Sequence, residues 1–185
     1  MTTSSGQTYL AIPGPSVIPE EVLRSMHRSA PNIYEGELIE ITKSLIPDLN
    51  YVARSSGNVA IYIANGHGIW EAALSNIATA NDHILVVATG RFAHGWAEMA
   101  RKLGIKVDVV DFGKNRALDI EVLAKKLKSE PKTKYKAILM THVDTSTSVK
   151  NDILNVRKKL DEINCSALLA VDCIASLACD KFEMD

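Results

Sequence analysis

Beyond about residue 58, short apolar runs alternate with longer stretches in which apolar and polar positions mix at helical spacing. Val59 to Ala64 (VAIYIA), His83 to Ala88 (HILVVA), Lys106 to Asp111 (KVDVVD), Ala137 to His142 (AILMTH) and Ala167 to Asp172 (ALLAVD) are the short runs. Their β-branched and aliphatic content predicts strands. Between them, Gly68 to Ala80, Gly95 to Leu103, Asp119 to Lys128 and Asn151 to Ile163 predict helices. Asp119 is placed to cap its helix. Leu154, Leu160 and Ile163 share one apolar face of the last helix. Strand–helix alternation at this spacing predicts an α/β fold: a mainly parallel sheet with helices on both faces.

The first 50 residues read differently. Ile12 to Pro19 (IPGPSVIP) carries three prolines and a glycine, which predicts an extended, turning segment. Glu20 to Arg28 and Glu37 to Leu45 then predict short helices. The expected division is 1–50 as an N-terminal segment and 51–185 as the sheet domain.

Composition narrows the function classes. Hydrophobic residues make up 46% and charged residues 23%, enough apolar material for a core. Lys plus Arg is 21 and Asp plus Glu 22, with the signs interspersed, so no nucleic-acid surface is expected. The apolar runs are too short to cross a bilayer, and Met1 to Thr8 is polar. No membrane contact and a cytoplasmic location are the expectations. Cys165, Cys173 and Cys179 form no CxxC pair, and His67, His83, His94 and His142 are scattered. Neither a disulfide framework nor a metal site is expected. The absence of a GxSxG elbow gives a serine hydrolase no support.

In parallel α/β sheets ligands bind at the carboxyl ends of strands, and four such ends carry unusual residues. Asn65-Gly66-His67-Gly68 follows VAIYIA. A glycine turn opening a helix offers free N–H groups to a phosphate; it is equally a tight structural turn. Asp172 ends ALLAVD, where a desolvated carboxylate wants a cationic partner or caps the next turn. His142 to Ser148 (HVDTSTS) clusters hydroxyls that can serve a polar ligand, or simply forms a polar loop. Phe92, after HILVVATGR, can stack on a flat ring or fill the core.

These segments occur together, in order, in one family. IPGPSVIPEEVLRSM, ANGHGIWEAALSN, TGRFAHGWAEMARKLG, MTHVDTSTSV and LLAVDCIASLACDKFEMD make the chain similar to the class V pyridoxal-phosphate aminotransferases. The resemblance is to the alanine–glyoxylate, serine–glyoxylate and serine–pyruvate group, and it covers nearly the whole chain after Tyr9. It implies the large domain of a fold-type-I transferase, with pyridoxal 5'-phosphate as cofactor. Asn65, Gly66 and His67 match the positions that hold the cofactor phosphate. Phe92 matches the ring-stacking residue, usually Trp, and Thr145 a hydroxyl residue at the cofactor's polar edge. Asp172 matches the catalytic partner of the pyridine nitrogen, and Ile174 the aliphatic residue on the opposite ring face. Gly14 matches the loop lining the substrate entrance. Ser148 stands where many relatives have glycine.

The implied activity moves an amino group from serine or alanine to glyoxylate or pyruvate, with a small amino acid and a 2-oxo acid as partners and a homodimer as the assembly. Alternatives within the resemblance are an aminoethylphosphonate transaminase, a cysteine desulfurase-like enzyme, or a non-catalytic cofactor-binding fragment. Only 13 residues follow Asp172, and Lys181 is the one lysine among them. The family's Schiff-base lysine lies further from the aspartate, so the resemblance implies a truncated portion without it.

Overall fold

A computed structural model describes residues 10–12 and 14–185. Met1 to Thr8 and Pro13 of the turning segment lie outside the described residues. The chain divides into two compact units: residues up to Val59 together with Met184–Asp185, and Ala60–Glu183.

In the first unit, α1 spans Glu20–Met26 and α2 spans Glu37–Ala53. The α2 helix does not stop before Pro47 as its sequence suggests. Apolar residues continue across it at Leu45, Leu49 and Val52, one helical face, so the helix runs on with one backbone donor fewer. Asp185 accepts hydrogen bonds from Ser55 Oγ at 2.9 Å and Ser56 N–H at 2.7 Å, tying the last residue to the end of this helix.

The second unit is built from α3 (Gly66–Ile77), β1 (His83–Ala88), α4 (Arg91–Lys102), β2 (Lys106–Asp111), α5 (Ile120–Lys128), β3 (Ala137–Thr141), β4 (Val143–Asp144), β5 (Val149–Lys150), α6 (Ile153–Glu162) and β6 (Leu168–Asp172). A four-stranded sheet has the order β2-β1-β3-β6, and every pairing in it is parallel. The short β4 and β5 form a separate antiparallel hairpin.

Alternation along β1 divides the core into two layers. Ile84, Val86 and Ala88 pack with Trp70, Leu74, Trp96 and Ala97 from α3 and α4. Leu85 and Val87 face the other way, onto Leu123 and Leu127 of α5 and Val156 and Leu160 of α6. Helices therefore cover both faces, as expected, and β1 and β3 are buried on both. No helix among the described residues is long and apolar enough to cross a membrane.

Val59 to Ala64 is not a strand. A strand exists only as a member of a ladder, and none of the sheet strands pairs with this run. Ile61 is 56% exposed and Ile63 fully so. Its composition matches a strand; what is missing is a hydrogen-bonding neighbour.

The amino ends of the strands carry a charge network. Asp108 on β2 accepts from Tyr135 Oη at 2.6 Å and Lys134 Nζ at 2.9 Å, with His83 Nε2 at 3.3 Å. The Tyr135 hydroxyl first, then Lys134 and His83, hold its carboxyl well below the usual carboxylate range. A depressed folded-state value contributes stability above the unfolded value and loses it as pH falls toward the folded one. The difference in Tm between the native chain and Asp108→Asn should hold steady down to about pH 3.8, the unperturbed value, and close below it. Thermal unfolding across pH 2–7 reads this directly; a gap that stays constant into strong acid would remove Asp108 as its source.

Candidate active site

The strand order places a topological switch point between β1 and β3. From β1 the chain crosses outward to β2, and from β3 outward the other way to β6. Crevices at such points, outside the carboxyl ends, are the ligand sites of open α/β sheets. Asn151 braces this one: fully buried, its amide donates to Thr89 Oγ1 and Thr141 O, both at 3.0 Å, and its oxygen accepts from Leu118 N–H at 3.0 Å.

Asn65 caps α3, its Oδ1 accepting from Gly68 N–H at 3.1 Å, and its carbonyl accepts from Ile69 N–H at 3.2 Å. Gly66 and His67 are left as the two N–H groups at the helix start with no acceptor among the described residues. A side chain at Gly66 would press on Ile174 Cδ1 at 3.0 Å, and one at Gly68 on Ala64 Cβ at 2.6 Å. Gly66 thus permits the close approach of the helix start to the loop after β6, and Gly68 the tight turn past Ala64.

Phe92 lies in the first turn of α4, half-buried, and packs against the core. It faces Trp70 at 6.2 Å between ring centroids and His67 at 6.3 Å. The helix starts at Arg91, a turn earlier than its sequence pattern suggests. Gly90 has no side chain to cap it, so sequence inspection finds no start there. The cap comes from elsewhere: Asp144, fully buried, accepts from Phe92 N–H at 3.0 Å and Ala93 N–H at 3.3 Å. A Cβ at Gly90 would collide with the Asp144 carboxylate, so glycine here is a steric requirement. Asp144 also accepts from Ser146 N–H at 3.0 Å and Ser146 Oγ at 2.6 Å. Thr145 sits half-buried between these two residues, and its position is set by the same carboxylate. Ser148 takes φ 58°, the left-handed conformation that glycine adopts without penalty.

Asp172 closes β6, half-buried. Its Oδ1 accepts from Ile174 N–H at 2.9 Å and its Oδ2 from Trp70 Nε1 at 2.9 Å. A carboxylate oxygen has room for a further donor on each side, so the group remains able to receive a cation. Ile174 itself is 68% exposed. Cys173 beside it is no nucleophile at neutral pH: burial, helped by the Asp172 charge, pushes its thiol up to about 12. His142 is buried under the C-terminal stretch, Nδ1 at 2.9 Å from Ser176 Oγ and the ring at 5.5 Å from Phe182. Burial disfavours its charged form.

One unit therefore carries Asn65, Gly66, His67, Phe92, Thr145, Asp172 and Ile174 at one end of one sheet; Gly14 belongs to the other unit. Asp144, Asn151 and Trp70 were not singled out from sequence. Among the described residues no cluster of three or more His, Cys, Asp or Glu is placed to hold a metal ion.

A parallel sheet carries a helix start with free N–H groups and a carboxylate at the same end, and the chain belongs to the class V aminotransferase family. The family model, aminotransferase class-V, matches residues 50–185. Serine–glyoxylate aminotransferase of Arabidopsis thaliana is 35% identical over 97% of this chain and 45% of its own length. That of Methylorubrum extorquens is 33% identical over 100% of this chain and 46% of the relative. Among solved structures, pyridoxamine–pyruvate aminotransferase from Mesorhizobium loti superposes with a TM-score of 0.87 at 21% identity, over 99% of this chain and 46% of that one. The chain spans about half the length of the curated relatives it matches. Family membership indicates pyridoxal phosphate as the cofactor.

Proposed function

We propose that this chain is the cofactor-holding part of a transaminase that moves an amino group from serine or alanine to glyoxylate or pyruvate. The observation that carries this reading is the pairing, at one end of one sheet, of two N–H groups at Gly66 and His67 without an acceptor among the described residues and the doubly anchored carboxylate of Asp172. The residues fit the cofactor. Gly66 and His67 N–H, at the positive end of α3, would hold its phosphate. Phe92 would pack on its ring, and Ile174, exposed in this chain, would meet the other face. Asp172 would hold a proton on the ring nitrogen.

When bound, pyridoxal phosphate supplies an electron sink for the substrate's α-carbon. The chain's own part is to orient that ring, exclude water from one face and keep a negative charge beside its nitrogen. The base that moves the α-proton is not assigned among these 185 residues; we place it on the family's lysine, outside them. The homodimer is likewise our proposal, supported by the resemblance alone.

Titrating the purified chain with pyridoxal phosphate, followed by absorbance, tests the cradle. Saturable binding is expected, and Phe92→Ala should weaken it by about 1–3 kcal/mol, the scale of a lost aromatic contact. Borohydride reduction and mass spectrometry should then find scattered, substoichiometric labelling of lysines. Unchanged affinity in Phe92→Ala with a lowered Tm would make Phe92 a core residue only. Stoichiometric labelling of one lysine would place the base within this chain.

A further inference from the structure

We propose that Trp70 is a positioning residue: its indole N–H holds the Asp172 carboxylate where the cofactor's ring nitrogen must meet it. The inference rests on the cofactor reading above and adds a residue to which nothing in the family motifs gives a role.

Two donors fix the carboxylate, and they differ in kind. The Ile174 N–H bond to Oδ1 spans two residues. It is the local turn that aspartate makes with its own backbone, and it forms wherever this loop forms. The Trp70 bond to Oδ2 joins residues 102 apart. With Oδ1 held locally, the second bond decides which way the carboxylate plane faces. Turning the side chain away would break one bond or the other.

Trp70 is well placed for that task because it cannot itself move. It is 4% exposed and stacks on Trp96, with centroids 5.7 Å apart and planes 13° from parallel. Phe92 meets it edge-on at 6.2 Å and 75°. Gly95 packs beneath the indole: even a Cβ there would lie 3.4 Å from Trp70 Cζ3, ordinary contact distance. Trp70 also stands four residues after Gly66 on α3, one turn along the same face. One rigid helix therefore offers the N–H groups at its start and grips the carboxylate from its second turn. The distance between the two ends of the cradle is set by a single element.

Buried indoles usually find a partner simply because an unmade hydrogen bond is costly. The neighbouring Trp96 separates that ordinary reason from positioning. It lies in the same stack, 3% exposed, and its Nε1 has no hydrogen-bond partner among the described residues. Trp→Phe at either position removes one indole from the same core, but only at position 70 does it remove a bond to Asp172.

The chain has two tryptophans, so a uniformly ¹⁵N-labelled sample gives two indole resonances, assigned by Trp70→Phe and Trp96→Phe. In the otherwise native chain, Asp172→Ala should shift the Trp70 resonance and leave that of Trp96 in place; this reading needs no folded Trp70 variant. Pyridoxal phosphate is then titrated into each protein. Trp70→Phe should raise Kd roughly tenfold, the scale of one hydrogen bond to a charged group, with Trp96→Phe near the native value. In the Asp172→Ala background Trp70→Phe should add nothing further. With the cofactor labelled ¹⁵N in its ring, Trp70→Phe should also lose the ring proton at lower pH than the native chain. Equal losses in the two Trp→Phe variants, or an indole resonance indifferent to Asp172→Ala, would overturn the proposal. Weakened binding in Asp172→Ala with none in Trp70→Phe would overturn it alone and leave the cofactor reading standing. No saturable binding by the native chain would overturn the cofactor reading, and the positioning role with it.

Discussion

In the transaminase proposed above, Asp172→Asn should lower kcat by roughly 100-fold or more, about 2.7 kcal/mol of barrier at 1.36 kcal/mol per factor of ten. Cofactor should still bind. The carboxylate ends β6, the edge strand beside β3, and holds one donor on each oxygen, Ile174 N–H and Trp70 Nε1. An asparagine of the same shape can keep one of those bonds, so the fold should lose little. What it cannot keep is the negative charge. Without that charge a proton on the ring nitrogen is no longer favoured, and the ring is a poorer sink for the electrons of the α-carbon. Steady-state kinetics with serine and glyoxylate, alongside Tm, separate the two effects. A variant with near-native kcat would remove Asp172 from the electronic role; one with a collapsed Tm would make it a structural residue.

The second large effect is on stability. Asp144→Ala should destabilise the sheet unit by about 2–4 kcal/mol, because it strands several donors around a fully buried position. Phe92 N–H, Ala93 N–H, Ser146 N–H and Ser146 Oγ all donate to this one carboxylate. Arg91 N–H reaches the same group indirectly, through Ser146 Oγ at 2.9 Å. With Gly90 unable to cap α4, nothing else among the described residues serves these groups. Urea unfolding reads the loss, and Asp144→Asn should recover part of it by keeping one acceptor oxygen. Cofactor affinity should fall in Asp144→Ala as well, since Phe92 and the Thr145 loop are held by the same group. An alanine variant within about 0.5 kcal/mol of native would mean that water or a rearranged loop replaces the carboxylate.

Asp144 shows why part of the site is illegible in sequence. In HVDTSTS it reads as one more polar loop residue, and nothing in the spacing of neighbours marks it as buried. Its partners Phe92 and Ala93 are 52 and 51 positions away. Asn151 reads as the start of a helix, yet it braces Thr89, 62 residues distant. Trp70 lies in the core on α3, and its bond to Asp172 has no local signature. Each role depends on which residues the sheet order brings together. The glycine turn at Gly66, by contrast, is local. It was legible because a helix start needs free N–H groups wherever it occurs.

The strands β1, β2, β3 and β6, the helices between them and the layering on both faces were determined by the sequence alone. Their signals are the periodicity and the continuous apolar runs that burial on two faces demands. Gly66, His67, Phe92 and Asp172 were marked by motif. The tertiary structure decided the rest. It left Val59 to Ala64 without a ladder, because pairing belongs to two segments and cannot be encoded in one. It started α4 at Arg91 rather than Gly95, because the cap is supplied by Asp144 from another element. And it gave Asp172 its second donor, because only the packed stack of Trp70 on Trp96 brings an indole N–H to within 2.9 Å of a carboxylate at the far end of the chain.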